Sequence, residues 1–526
     1  MTALQPRERI DVDVAIVGSG FSGALAALAL RQRGRRVALV ERSRHPRFAI
    51  GESTTPLTNL LLEEIAARYD LPHIASFSKW GTWQREHADV ACGLKRGFTF
   101  MFHRLDAPFA ETTPRERQLL VAASPHDQVA DTHWYRPDFD HALVRAAEAA
   151  GAIYLDQTRI QHVHPRPGGV ALEAAREGRT LDIAADFVID ASGPRGLLST
   201  TLGTGSAPLR WLPPTQGIYT HFEDVGEWAD LMPMDGTPPY PPDAAALHHV
   251  FDGGWIWVLR FNNGITSAGA ALEDRLANSL SAPDGASAWQ RLLDRLPSVR
   301  DQFRSARATL PFVHAPRVAY RCREVVGSSW ALLPSAAGVI DPLLSTGFPL
   351  TLLGLLRLLE ILETTRPGDA RDAALEGYAR ITQAELDVTE QLVAALYANM
   401  TDPDLFRQLS LLYFAAASYS EAARRLGRPK LAPGFLLHAH PRFGLELAAC
   451  AGLASSWPTG EARAALVDRI ARAIEPVDVA GLHDASRRHW YPALSSDLLT
   501  NASKLDATVD EIHALLVRCG LEGREA

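Results

Sequence analysis

Three glycines near the N-terminus, Gly18, Gly20 and Gly23, stand at a spacing that phosphate chemistry can use. In a strand-to-helix turn the first glycine permits the tight bend. The second lets a pyrophosphate approach the backbone, and the third lets the helix lie against the strand. The N–H groups at the helix start then face the phosphates. Glu41, 18 residues past Gly23, closes a second apolar run, where a carboxylate accepts hydrogen bonds from an adenosine ribose. The set predicts a dinucleotide site. By itself the loop leaves FAD and NAD both open, and no second glycine fingerprint marks a separate nicotinamide domain.

The elements that must hold this loop are readable around it. Residues 12–17 and 37–40 are Val- and Ile-rich runs of strand length, and residues 24–33 are a small-residue helix stopped by Gly34, which makes a β-α-β unit. Residues 57–68 form a helix with Pro56 near its start. Phe98, Phe100 and Phe102 alternate with Thr99 and Met101, a strand periodicity whose aromatic face reads as core. Residues 138–150 are helical, closed by Gly151, and 185–191 are a buried strand. Residues 248–261 and 265–272 predict a hairpin through Asn262-Asn263-Gly264. Residues 330–340 return to strand and turn. Beyond about 350 the chain reads as helical, with breaks near Pro403, Pro429 and Pro441. The order predicts a discontinuous first domain over residues 1–350, an antiparallel sheet at about 200–320 lying over the cofactor, and a helical region over 351–526.

Bulk properties narrow the class. A chain of 526 residues can hold two or three cores. A formal net charge of -8 gives no electrostatic footprint for nucleic acid and no basic face for anionic lipid. Cys92, Cys322, Cys450 and Cys519 are scattered, with no metal or redox spacing, as suits a reducing cytoplasm. The first residues show no signal-peptide core. The most apolar stretch, 348–362, carries Arg357 and Glu360 and falls short of the ~20 apolar residues of a membrane span. The expectation is a cytoplasmic enzyme with no metal and no membrane span.

Further blocks carry a resemblance. His45-Pro46-Arg47-Phe48-Ala49-Ile50-Gly51-Glu52-Ser53-Thr54-Thr55-Pro56 is followed by Cys92-Gly93-Leu94-Lys95, Tyr135-Arg136-Pro137-Asp138, Trp255-Ile256-Trp257 and Gly338-Val339-Ile340-Asp341-Pro342, ending in Ser345-Thr346-Gly347. In this order and register the chain resembles flavin-dependent halogenases of the phenol and pyrrole type. The resemblance implies an α/β fold: an FAD-binding Rossmann-type monooxygenase module, an antiparallel substrate sheet and a helical C-terminal region. It implies FAD as cofactor, reduced by a separate flavin reductase, with O2 and chloride or bromide giving hypohalous acid. That acid passes to a catalytic lysine beside an electron-rich arene, free or carrier-bound.

By the same resemblance Lys95 is the catalytic lysine, with Lys79 in reserve. Thr346 and Gly347 hold halide through backbone N–H groups. Gly51, Glu52 and Ser53 form a strap between the flavin and substrate sites, and Arg136 and Asp341 belong with Gly18, Gly20, Gly23 and Glu41 among the cofactor residues. Some positions depart from the pattern. Leu344 stands where tryptophan halogenases carry a glutamate, which points away from free tryptophan. Arg260 replaces a proline after the Trp-x-Trp block, Val339 replaces a phenylalanine, and Ser335 replaces an acidic ribose contact. Two alternatives stay open: a flavin monooxygenase or oxidase without halide use, and a catalytically silent FAD-binding protein. Direct NADPH use is disfavoured, because Ser192 replaces the acid of an Asp-Gly block in 190–195.

Overall fold

The computed structural model describes residues 8–194, 196–232 and 234–521. Residues 1–7 of the stretch read as lacking a signal-peptide core, and Arg195 of the 190–195 run, lie outside the described residues.

The first layer is a mostly parallel sheet. β1 (Glu8–Val17) leads through the glycine turn into α1 (Phe21–Gln32), which begins earlier than the predicted 24, and back through β2 (Val37–Val40). α2 (Pro56–Arg68) follows, started by a Thr55 capping box. β3 (Cys92–Lys95), β4 (Gly97–Phe102), β5 (Gln118–Ala122) and β6 (Asp131–Trp134) come next, then α3 (Arg136–Ala149) and β7 (Ile153–Leu155). β8 (Thr158–Arg166), β9 (Gly169–Arg176) and β10 (Arg179–Asp190) form an antiparallel meander that returns to the first sheet. Trp330–Leu332, β10, β1, β2 and β7 lie side by side in parallel register. Val14–Val17 and all of β2 are buried on both faces, as strands covered by helices on each side require.

The second sheet contains β11 (Thr215–Glu223), β12 (Ala246–Phe251), β13 (Gly254–Arg260) and β14 (Thr266–Glu273), in the order β11-β14-β13-β12-β4-β5. It differs from the sequence expectation in two ways. The run 248–261 is not one strand: it folds back at Asp252-Gly253, where Gly253 takes φ 85°, so a three-stranded meander replaces the single hairpin. The sheet also reaches outside 200–320, because β4 joins β12 in parallel and Trp490–Tyr491 from the helical region adds to β5. Such long-range pairings leave no local periodicity to read. The Phe98, Phe100 and Phe102 face is core, as expected, and Met101 enters a second core on the opposite side.

The helical region opens with α4 (Gly347–Thr364), α5 (Asp369–Ala398) and α6 (Pro403–Arg425), and ends with α7 (Val509–Arg518). Leu343–Thr364 is long and apolar enough to cross a membrane by length and composition, which corrects the shorter stretch read from sequence. Its hydropathy has a place inside the protein, where α4 packs against α1, α2 and α5.

Candidate active site

A cavity of about 950 Å³ runs from the glycine turn to the start of α4. Gly18, Gly20, Glu41, Arg47, Gly51, Glu52, Ser53, Arg136, Asp341, Thr346 and Gly347 all line it. The glycine turn leaves space that no other residue type would leave. Gly18 holds φ 99°, and a Cβ there would stand 2.4 Å from the Ala191 carbonyl oxygen. A Cβ on Gly23 would meet the Gly18 oxygen at 1.9 Å, so Gly23 lets α1 close on β1 beneath the cavity. Gly20 is different: its added Cβ would face the tips of Arg136 (3.3 Å), Arg47 (3.7 Å) and Asp140 (3.7 Å). This is an open, cationic approach to the N-terminus of α1, suited to a pyrophosphate.

Glu41 is buried at the end of β2. Its carboxylate accepts from the Ser43 N–H (2.9 Å), the Ser19 N–H (3.2 Å) and hydroxyl (3.0 Å), and Arg47 (3.1 Å). Burial raises its pKa, but Arg47 and these donors outweigh burial and hold it below the ordinary carboxylate range. The Arg47 Nε is buried without a partner. Arg136 pairs with Asp140 through two 2.7 Å bonds and donates to the Gly51 carbonyl at 2.8 Å, which ties the strap to α3. The glycine cradle, the acid-tipped strand and the orphaned Arg47 nitrogen together fit the adenine dinucleotide half of FAD.

The other end of the cavity begins at a turn with two left-handed residues, Leu344 (φ 66°) and Ser345 (φ 55°). Thr346 and Gly347 follow as α4 starts, and a Cβ on Gly347 would meet nothing within 4 Å. The first N–H groups of a helix have no partner within it, and Pro349 carries none. An anion of halide size suits this corner. Leu344 itself is buried and does not line the cavity.

Asp341 lines the cavity, yet both of its oxygens are taken by the protein. Oδ1 accepts from the Leu343 N–H (2.9 Å) and Trp255 Nε1 (3.2 Å), and Oδ2 from the Tyr397 hydroxyl (2.9 Å). Burial pushes this carboxyl up to about 6 despite those donors. In this geometry Asp341 fixes Trp255 and the Pro342 turn at the edge of the cavity.

Lys95 lies one side chain beyond the cavity wall, fully buried. Its Nζ donates to Ser53 Oγ at 2.9 Å and to the Thr54 carbonyl at 2.5 Å, and sits 3.8 Å over the Phe98 ring. Ser53 therefore touches both the cofactor cavity and the lysine. β3 pairs with β6 in a two-stranded ribbon, bridged to the strap at Ser53–His133, that sets Lys95 opposite Asp131 and Gly93 opposite His133. Burial lowers the Lys95 pKa far below the ordinary lysine range, and Asp131 restores only part of it. Asn59 on α2 donates to Asp131 Oδ1 at 2.7 Å. Sequence reasoning did not find Asp131, Asn59, His133 or Arg47 as site residues. Arg47 stood inside a quoted block. The ribbon residues carry no local signal, because their register joins segments nearly forty residues apart. Lys79, the reserve candidate, is near enough to Asp131 and Glu63 for its charge to pull down both carboxyls.

Trp255 and Trp257, with ring centroids 5.6 Å apart, stand with Leu259 in the cavity wall. The strand alternates, so Ile256, Val258 and Arg260 face the second core and the far surface. Arg260 donates there to the carbonyls of Val225 (3.0 Å) and Gly226 (2.5 Å) and pairs with Asp243 at 3.3 Å. The proline-to-arginine departure thus leaves the cavity wall untouched. Arg260→Ala is expected to cost about 1–3 kcal/mol of stability, from lost charged hydrogen bonds. Flavin binding should match wild type. Thermal melts and flavin absorbance after gel filtration check both, and loss of flavin would contradict this placement.

Residues 13–326 match the FAD dependent oxidoreductase family. The chain is 32% identical over 415 residues to the monodechloroaminopyrrolnitrin halogenase PrnC of Pseudomonas fluorescens, covering 76% of this chain and 71% of the relative. It is 32% identical over 418 residues to the tetracycline 7-halogenase of Kitasatospora aureofaciens, covering 77% and 73%. The fold superposes on the crystal structure of halogenase PltM with a TM-score of 0.81 at 26% identity, covering 91% of this chain and 99% of that one. PltM has also been crystallised with phloroglucinol and FAD. With a cradle that fits FAD and a lysine held one residue beyond it, this chain is an FAD-dependent oxidoreductase that belongs to the flavin-dependent halogenase family.

Proposed function

We propose that this enzyme halogenates an electron-rich phenol or pyrrole, free or carrier-bound, using O2 and chloride or bromide, with hypohalous acid delivered to Lys95. The observation that carries the reading is Ser53, which lines the cofactor cavity and receives the Lys95 ammonium at 2.9 Å. When bound and reduced by a separate flavin reductase, FAD supplies the oxygen chemistry that turns halide into hypohalous acid.

The chain's own residues then do four things. Gly18 and Gly20 with Arg47, Arg136 and Glu41 hold the dinucleotide end. The backbone of Thr346 and Gly347 offers the halide corner. Trp255 and Trp257, with Trp255 fixed by Asp341 and Tyr397, keep the arene from the flavin side. Lys95 donates a hydrogen bond to the hypohalous oxygen and aims its halogen, and the protein around it excludes water. Leu344 brings no carboxylate to the arene, so the ring must be nucleophilic by itself. A phenol or pyrrole meets that need, and the indole of free tryptophan does so less well. The relatives that act on pyrrolnitrin precursors and tetracycline, and the phloroglucinol complex of PltM, support this substrate class.

The test is turnover of purified protein with FAD, a flavin reductase, NADH and bromide against a panel of phenols and pyrroles with tryptophan alongside. Brominated phenol or pyrrole with tryptophan unchanged is the expected result. Bromotryptophan as the main product would overturn the substrate class.

A further inference from the structure

The β3–β6 ribbon sets a carboxylate against the buried lysine without spending it on an ion pair. Asp131 faces Lys95 in register, and both are buried. The Lys95 donors go to Ser53 and Thr54 instead. Asn59 fixes Asp131 Oδ1, while Oδ2 is buried with no hydrogen-bond partner. A buried, unpaired carboxylate oxygen is costly and calls for a compensating charge nearby. Lys79 and Lys95 are both such charges, and for Lys95 the compensation works in both directions.

We propose that Asp131 is a positioning residue for Lys95: it supplies the counter-charge that keeps the buried amine protonated, so that Lys95 can donate to hypohalous oxygen. The proposal rests on the halogenation reading and extends it to a residue outside the family motif.

The surroundings fix the sign of its effect. Lys95 faces His133 on β6 and His248 on β12, and burial holds both imidazoles neutral, His248 at about 3. Both are also lowered by Lys95, so neither can supply a negative charge. Burial raises the Asp131 carboxyl to about 6, Lys79 and then Lys95 pull it down, and Glu421 pushes it up. Burial lowers the Lys95 pKa, and Asp131 is the group that raises it back. Replacing the carboxylate by an amide therefore removes the ammonium's support, and Lys95 loses its proton at lower pH.

Asp131→Asn tests this. Bromination of a phenol is followed from pH 5.5 to 9, and Lys95 reductive methylation by formaldehyde is followed over the same range by peptide mass spectrometry. The basic limb of the rate profile and the labelling midpoint are both expected to move down by about one pH unit or more. Rates at the acid end should stay near wild type. Asn59→Ala, which loosens the carboxylate without removing it, should move both in the same direction by less. A merely structural role would lower the rate at every pH with the limb in place. An unmoved limb and an unmoved labelling midpoint would overturn the proposal, and so would faster bromination near pH 7. If wild-type protein halogenates no arene, the functional reading fails and the labelling midpoints alone decide for or against Asp131.

Discussion

Lys95→Met is expected to remove halogenation, by ~10²–10⁴-fold, while the protein stays folded and keeps FAD. The substitution holds the chain volume and the contact with Phe98, and takes away only the ammonium. Two acceptors lose their donor, the Ser53 hydroxyl and the Thr54 carbonyl. The hydroxyl can turn to another acceptor, and the orphaned carbonyl costs about 1–3 kcal/mol. Against this, the cost of burying a lysine charge disappears. Asp131 also loses one of its two compensating charges and keeps only Lys79, so the melting temperature should fall by several degrees. Lys95 does not line the cofactor cavity, so the flavin spectrum should be that of wild type. NADH and O2 should still be consumed in the coupled assay, without halogenated product. Bromination at the wild-type rate would remove Lys95 from the chemistry.

Gly20→Val is expected to abolish FAD retention in a folded protein, and this second large effect comes from geometry that distinguishes the three glycines. Gly20 has φ -66° and ψ 177°, an extended conformation open to any residue, and an added side chain meets only flexible side-chain tips. The fold can accept it. The pyrophosphate cannot, because the valine would stand between it and the N–H groups at the start of α1. Hydrogen bonds to a charged acceptor contribute ~1.5–3 kcal/mol each. Losing two of them weakens binding by ~10²-fold or more. Gly18→Val makes the contrast: with φ 99° and a backbone oxygen 2.4 Å from the new Cβ, it should damage the fold itself. Flavin absorbance after gel filtration and the melting temperature separate the two outcomes. FAD-loaded Gly20→Val protein would mean that the phosphates lie elsewhere.

What could be read from the sequence was what local pattern encodes. The Gly18-Gly20-Gly23 turn, the β2 strand tipped by Glu41 and the Lys95 block are contiguous, and the structure places all of them about one cavity and its wall. What could not be read depends on register and facing. Arg260 follows Trp255 and Trp257 in sequence, and those two stand in the cavity wall. Only the strand alternation, fixed by pairing with β12 and β14, turns it to the far side. Nor could the partners of Asp341 be read, because Tyr397 reaches its second oxygen from a distant helix. Asn59 comes from a segment that reads as an ordinary helix and Asp131 from one with no local signal; Asp131 meets Lys95 only through the ribbon register, and Asn59 reaches Asp131 only through the packing of α2.

The most direct test of the central claim is mass spectrometry of a phenol incubated with wild-type protein, reduced FAD and O2, with and without bromide. The account predicts a product bearing the bromine isotope doublet that forms only with bromide, and no hydroxylated product in its absence. A hydroxylated phenol formed at the same rate whether or not bromide is present would contradict it.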